Sequence, residues 1–276
     1  MRIFLAGGTG VIGTRLIPAL LNAGHHVTAT TRKPASTGLL EQLGAVPVVM
    51  DVYDVAGTAA AVQEAAPDII LHELTDLGDY DTEANARLRR EGTASLVAAA
   101  QAAGVQRIMV QSIAWAYQPG QQAAAEEEPV APGSAVETME ALAGQLPQAT
   151  VLRYGMLYGP GTWYAAGGRI AEAVAAGHVP ATSAVTSFVH IDDAIAATVQ
   201  ALDWPAGAYN ITDDEPAAAS IWLPAYARQL GAPEPVLAPL PAGAPAGRGA
   251  ANAKARALGW EPAYPSWRDG FARKLG

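Results

Sequence analysis

The 276-residue chain predicts an α/β protein built on a doubly wound parallel sheet, with a smaller carboxyl-terminal substrate lobe. Three observations carry that expectation. An apolar strand candidate, Ile3 to Ala6, runs into a glycine loop. A helix with apolar residues at Val11, Ile12, Leu16, Ile17, Leu20 and Leu21 follows at once. Strand-like and helical segments then alternate as far as Tyr154, the pattern of a Rossmann-type sheet in which helices carry the chain back between parallel strands.

The glycine loop comes first. Gly7, Gly10 and Gly13 form a GxxGxxG pattern, and glycine allows both the tight turn and a close approach of a pyrophosphate to the main chain. The amino-terminal amides and dipole of the following helix favour an anion at the same place. A second strand is expected about 20 residues on, and His26 to Thr31 supplies it. Where an acid would bind the adenosine ribose hydroxyls, the chain has Thr31, Arg32 and Lys33. Arg32 can fork onto a 2′-phosphate, so the cofactor expected is NADP(H).

The later elements follow in order: strand Ala45 to Met50, helix Val55 to Ala65, strand Asp68 to His72, helix Glu83 to Ala103, strand Arg107 to Ser112, helix Ser134 to Leu146 and strand Ala149 to Arg153. Ligands of such sheets lie outside the carboxyl ends of the strands, which places His72, Ser112 and Tyr154 on the functional edge. Beyond Tyr154 the pattern loosens. Residues 1–154 are therefore read as the cofactor-binding domain and 155–276 as mainly the substrate lobe, interleaved with the sheet. Ala232 to Ala250, rich in proline and alanine, reads as a surface connector.

Composition narrows the function classes. A formal charge of −9 with scattered Lys and Arg argues against nucleic acid. No apolar run approaches the length of a membrane span and no basic leader precedes the first strand, so a soluble cytoplasmic protein is expected. The absence of cysteine excludes disulfides, thiolate ligands and a cysteine nucleophile, and no histidine pair has the spacing of a helical metal site. No metal is expected. The partner expected is a small molecule of apolar or ring character, from the aromatic segment Gly161 to Tyr164, taken by a monomer or homodimer.

The motifs GGTGVIG, Asp51, Ser112, RYGMLYGPG (Arg153 to Gly161), SFVHIDD (Ser187 to Asp193) and YNITDDEP (Tyr209 to Pro216) together resemble the extended or atypical short-chain dehydrogenase/reductase family, of the epimerase/dehydratase-like kind. The resemblance covers nearly the whole chain. It implies that Gly7, Thr9, Gly10, Val11, Ile12 and Gly13 bind the pyrophosphate side of the cofactor, with Arg32 and Lys33 at the 2′-phosphate. It further implies Asp51 and Val52 against the adenine, Leu74 and Thr75 beside the ribose, and Tyr154, Gly155 and Met156 near the nicotinamide. Ser112 matches the family serine that holds the substrate oxygen. His190, Asp192 and Asp193 match a segment that fixes the substrate lobe.

One departure governs the chemistry. Family members carry a Tyr followed four residues later by Lys on the helix after the fifth strand, and this chain has no such pair. Its lysines are Lys33, Lys254 and Lys274. In the family the phenol protonates the carbonyl oxygen as hydride arrives, a role worth roughly 100- to 10,000-fold. Candidate substitutes are Tyr117, in the loop past Ser112, and Glu137 and Glu140, on the helix where the pair would lie; a carboxyl beside a cofactor can act as acid or base. The expected function is an NADP(H)-dependent oxidoreductase reducing a small carbonyl or related unsaturated metabolite. The alternatives are an epimerase or dehydratase with transient cofactor use, and a redox-silent NADP(H)-binding sensor or partner protein.

Overall fold

The computed structural model describes residues 1–77 and 81–273. The chain divides into two compact units whose segments interleave. The first holds residues 1–112, 130–152 and 198–208, and the second holds 113–129, 153–197 and 209–276. The chain therefore crosses between the two units several times.

The first unit opens with β1 (Arg2–Ala6), α1 (Gly13–Asn22), β2 (His26–Thr31), α2 (Thr37–Gln42), β3 (Val46–Val49), α3 (Val55–Ala65) and β4 (Ile69–His72). A long helical stretch follows: α4 (Thr82–Arg87), a π-turn at Leu88–Gly92 and α5 (Thr93–Ala102). Next come β5 (Arg107–Ile113), α6 (Ala135–Ala143) and β6 (Gln148–Tyr154). The second unit adds β7 (Met156–Tyr158), α7 (Arg169–Ala175), β8 (Val185–Thr186), β9 (Phe188–His190), α8 (Ile191–Gln200), β10 (Gly207–Ile211), β11 (Ala217–Ala218), α9 (Ala219–Leu230), α10 (Ala253–Ala257) and α11 (Trp267–Arg273), although β5, β6, α8 and β10 each cross the division.

Seven strands form the main sheet in the order β10-β6-β5-β4-β1-β2-β3. Strands β5, β4, β1, β2 and β3 pair in parallel, with Ile3 opposite both Val27 and Ile69. Central parallel strands are covered on both faces and so read as continuous apolar runs. Accordingly Ile3, Phe4, Leu5 and Ala6 are all buried, as are Ile69, Ile70 and Leu71. One face of the sheet packs Phe4, Ile70, Ile108 and Val110 against Val62, Leu96, Val97 and Met139. The order turns between β1 and β4, and a doubly wound sheet opens a crevice at that switch point.

Helix starts are set by side-chain caps. Asp54 accepts the Gly57 N–H at 3.0 Å, and the Asp81 carboxylate accepts those of Glu83 and Ala84. At α6, Ser134 accepts the Glu137 N–H while the Glu137 carboxylate accepts that of Gly133, a reciprocal arrangement like the capping box. In the second unit an aromatic core gathers Tyr158, Tyr164, Phe188, Trp222, Tyr226, Trp267 and Phe271. The Asp193 carboxylate binds the N–H groups of Ala263 and Tyr264 at 2.7 and 3.0 Å, and His190 Nδ1 accepts the Asp192 N–H. Residues 239–249 carry no helix or strand.

Two local features of the first unit are testable by stability. A Cβ on Gly13 would lie 2.2 Å from the Gly7 carbonyl oxygen, whereas one on Gly10 would meet nothing closer than 3.4 Å. Gly13→Ala should therefore destabilise the protein by about 2 kcal/mol or more in urea unfolding, while Gly10→Ala should stay within about 0.5 kcal/mol of wild type.

His72, at the buried end of β4, accepts the Leu74 N–H on Nδ1 at 3.3 Å, which leaves Nε2–H to donate to Thr93 Oγ1 at 2.9 Å. Burial, with Arg89 nearby, lowers its pKa from 6.5 to about 4. The native state thus favours the neutral ring, so this stability is fully present above the unfolded pKa and is lost as pH falls through the folded one. Between those values wild type should lose about 3 kcal/mol more than His72→Gln, in urea melts run as a pH series.

Candidate functional site

The glycine loop is shaped by contacts on three sides. Gly7 has φ +103°, its N–H donates to Thr30 Oγ1 at 3.2 Å, and a Cβ there would lie 2.8 Å from the Glu73 carbonyl oxygen. The Gly8 N–H donates to the Thr30 carbonyl at 3.0 Å. The loop is therefore bound to the end of β2 and pressed against the chain leaving β4.

A cleft of about 350 Å³ opens beside it, within the first unit, a size in the range of small-molecule and cofactor sites. Of the residues expected at the cofactor, Gly7, Thr9, Gly10, Arg32, Lys33, Val52, Leu74 and Thr75 line it. Val11 and Ile12 lead into α1, which Gly13 begins, with Thr14 N–H bonded to the Gly10 carbonyl. Asp51 does not line the cleft. Its carboxylate accepts the Tyr53 N–H at 3.0 Å in a local turn, and Val52 and Tyr53 form the wall instead.

The lining also includes Thr30, Ser36, Met50, Glu73 and Leu88. Tyr53 was marked by no motif and adjoins Val52, which was, and Glu73 directly follows the end of β4. The fit to a dinucleotide is tested at Gly10, where the protein alone leaves room for a Cβ. Gly10 lines the cleft, so a bare backbone there suits a pyrophosphate more than it serves packing. The lining thus fits the group.

A polar cluster stands at the ends of β4 and β5 in the same unit. Ser112, fully buried, donates its hydroxyl to Glu140 Oε1 at 2.6 Å. Burial lowers the pKa of the Arg89 guanidinium, and the neighbouring Glu140 carboxylate opposes that shift. Arg89 lies on the π-turn, a helix irregularity frequent at functional sites. Of the two glutamates expected near the reaction, Glu140 thus meets Ser112. Glu137 is exposed and caps α6, which does not place it with Ser112.

The other expected residues lie in the second unit. The Tyr117 hydroxyl donates to Asn210 Oδ1 at 2.7 Å and accepts from Arg153 Nη1 at 2.7 Å. Arg153 also reaches the Glu126 carbonyl, and the Asn210 amide donates to the carbonyls of Ala124 and Ala251. Burial raises the Tyr117 pKa, with Arg153 acting against it. Tyr154 is buried, a Cβ on Gly155 would press on the Phe188 backbone at 2.8 Å, and Met156 pairs with Phe188. Tyr164, expected as aromatic surface, is instead part of the core, its carbonyl accepting the Tyr226 hydroxyl.

Among the described residues no three His, Asp or Glu side chains converge as metal ligands, and no helix is long and apolar enough to cross a membrane.

Comparison with known proteins adds identity to this geometry. An NAD(P)H-binding family model matches residues 7–162. A Streptomyces 3-diazoavenalumate denitrifying reductase is 44% identical over 308 aligned positions, covering 99% of this chain and 100% of that protein. Among solved structures, UDP-glucose 4-epimerase of Thermotoga maritima, with UDP-glucose, superposes with TM-score 0.81 at 21% identity, covering 100% of this chain and 97% of that one. The Thermus thermophilus UDP-glucose 4-epimerase complex with NAD gives TM-score 0.81 at 22% identity, with 100% and 98% coverage. The epimerases share the fold, while the reductase shares nearly half of its residues from end to end. The chain belongs to the NAD(P)H-binding family, shares its fold with the epimerases and is an oxidoreductase.

Proposed function

We propose that this protein is an NADPH-dependent reductase of a phenol-derived diazo compound, a diazonium group on a phenolate ring, in which the diazonium carbon exchanges dinitrogen for hydrogen. The observation that carries the reading is that each expected hydroxyl donor, within its own unit, has its hydrogen committed. Ser112 donates to Glu140 and Tyr117 to Asn210, and the Tyr-Lys pair is absent. Carbonyl reduction needs a proton on oxygen as hydride arrives. A diazonium-type carbon needs none.

A bound nicotinamide dinucleotide supplies hydride, so that C–N2⁺ and H⁻ give C–H and free N2 with charge and atoms balanced. The protein's part is to bind, orient and exclude water. The glycine loop and the α1 amino terminus receive the pyrophosphate, and Arg32 and Lys33 the 2′-phosphate. Ser112, with its hydrogen on Glu140, presents oxygen lone pairs to the substrate, and the carboxylate behind it favours a cationic group. Arg89 stands beside that carboxylate and balances its charge. Tyr117 is assigned to positioning Arg153 and Asn210. The full-length likeness to a denitrifying reductase of a diazo substrate supports this reading.

Three outcomes check it. With a phenol-derived diazo compound and NADPH deuterated at the transferring position, deuterium should appear on the former diazo carbon and one N2 should be released per NADPH, read by mass spectrometry. Turnover of aldehydes and ketones with none of the diazo compound would overturn the assignment. Tyr117→Phe should retain its rate constant within roughly threefold, against the roughly 100-fold or greater loss that removal of a general acid brings. Arg32→Ala should weaken NADPH binding about 10- to 100-fold and leave NADH nearly unchanged in calorimetric titrations.

A further inference from the structure

An ion pair lies at the edge of the cleft, between the lining Arg32 and Asp76. Arg32 Nη2 lies 3.6 Å from Asp76 Oδ1. Arg32 directly follows β2, and Asp76 lies four residues past β4, just beyond the cleft-lining Glu73, Leu74 and Thr75. In the sheet β1 stands between those two strands. The pair therefore joins the loops on either side of the glycine loop that β1 feeds.

Asp76 is held in that position from below. Its N–H donates to Asn85 Oδ1 at 3.0 Å, and Asn85 is buried on α4. The pair itself is half exposed, with 55% of the Arg32 side chain and 31% of the Asp76 side chain accessible. Ion pairs of this kind contribute little to stability. The Tyr53 phenol, on the cleft wall, feels Arg32 and Asp76 together, so the acid lies within electrostatic reach of the cleft.

We propose that Asp76 is a specificity-determining residue: its carboxylate occupies the Arg32 guanidinium in the free protein and competes there with a 2′-phosphate, narrowing the preference for NADPH over NADH. The inference rests on the assignment of Arg32 to the 2′-phosphate. A phosphate forking onto Arg32 must displace Asp76 or share the guanidinium with it. Because Asn85 fixes the backbone, the displaced carboxylate stays near the incoming anion, and two like charges repel. NADH brings no such charge. Solvent screening keeps the effect to roughly three- to tenfold in affinity.

The test is calorimetric titration of NADPH and NADH into wild type, Asp76→Asn, Arg32→Ala and the double variant. Asparagine keeps the backbone bond to Asn85 and the side-chain size, and thermal melts verify that each variant is folded. Asp76→Asn should tighten NADPH about three- to tenfold with NADH within about twofold, and the gain should vanish in the Arg32→Ala background. Unchanged or weaker NADPH binding in Asp76→Asn, with Arg32→Ala still losing its preference, overturns the competition and leaves the assignment of Arg32 standing. Equal tightening in both backgrounds also overturns it, since the acid would then repel the phosphate without acting through Arg32. An Arg32→Ala variant with normal NADPH affinity removes the assignment of Arg32 itself, and the inference with it.

Discussion

The close approach of the α1 amino terminus to the loop leaving β1 is the constraint on which the first unit depends. A Cβ on Gly13 would overlap the Gly7 carbonyl, and one on Gly7 would overlap the backbone after β4. Three pieces of main chain, from β1, α1 and β4, are thereby held at contact distance with no side chain between them. That contact forms the crevice at the switch point of the sheet and aims the helix dipole into it. Gly10 is different. The protein leaves room beside it, so its bareness is directed at whatever enters the cleft.

The polar groups beyond the crevice are arranged around hydrogens already assigned. His72 is neutral, and its two nitrogens are used to hold the Leu74 N–H and the Thr93 hydroxyl. It thereby ties the loop that lines the cleft to α5, just past the π-turn that carries Arg89. Arg89 faces Glu140, and Glu140 takes the hydroxyl hydrogen of Ser112. Each member satisfies the next, as buried polar groups must. In this arrangement the Ser112 hydrogen is directed to Glu140.

Much of the fold was legible because the relevant signals are local. Strand β2 and helix α3 begin and end where their patterns predict, and the residues read from the chain, Gly7, Gly10, Arg32 and Lys33, line one cleft with Val52, Leu74 and Thr75, which the family resemblance implied. What escaped depends on distant partners. The helix expected from Glu83 to Ala103 contains a π-turn, and its apolar pattern runs through that irregularity without a mark. Strand β10 joins the sheet edge although it lies far along the chain, after the pattern has loosened. Asp51, which the resemblance set against the adenine, turns one carboxylate oxygen to the Tyr53 amide in a local turn.

The fate of the expected hydroxyls shows why motif reasoning weakens at the chemistry. Tyr117 has the right residue type in a loop leaving β5, but Asn210 and Arg153, 93 and 36 residues away, decide what its hydroxyl does. Glu137 and Glu140 are three apart on one helix, and nothing in their spacing separates a cap from a partner of Ser112. The separation comes from the start of α6: Ser134 caps it, which makes Glu137 the third residue in and turns its carboxylate back to the Gly133 amide. One turn further along, Glu140 is free of that duty and meets the buried serine. In the absence of the Tyr-Lys pair, the group that meets the serine is a carboxylate, and the serine hydroxyl directs its hydrogen to it.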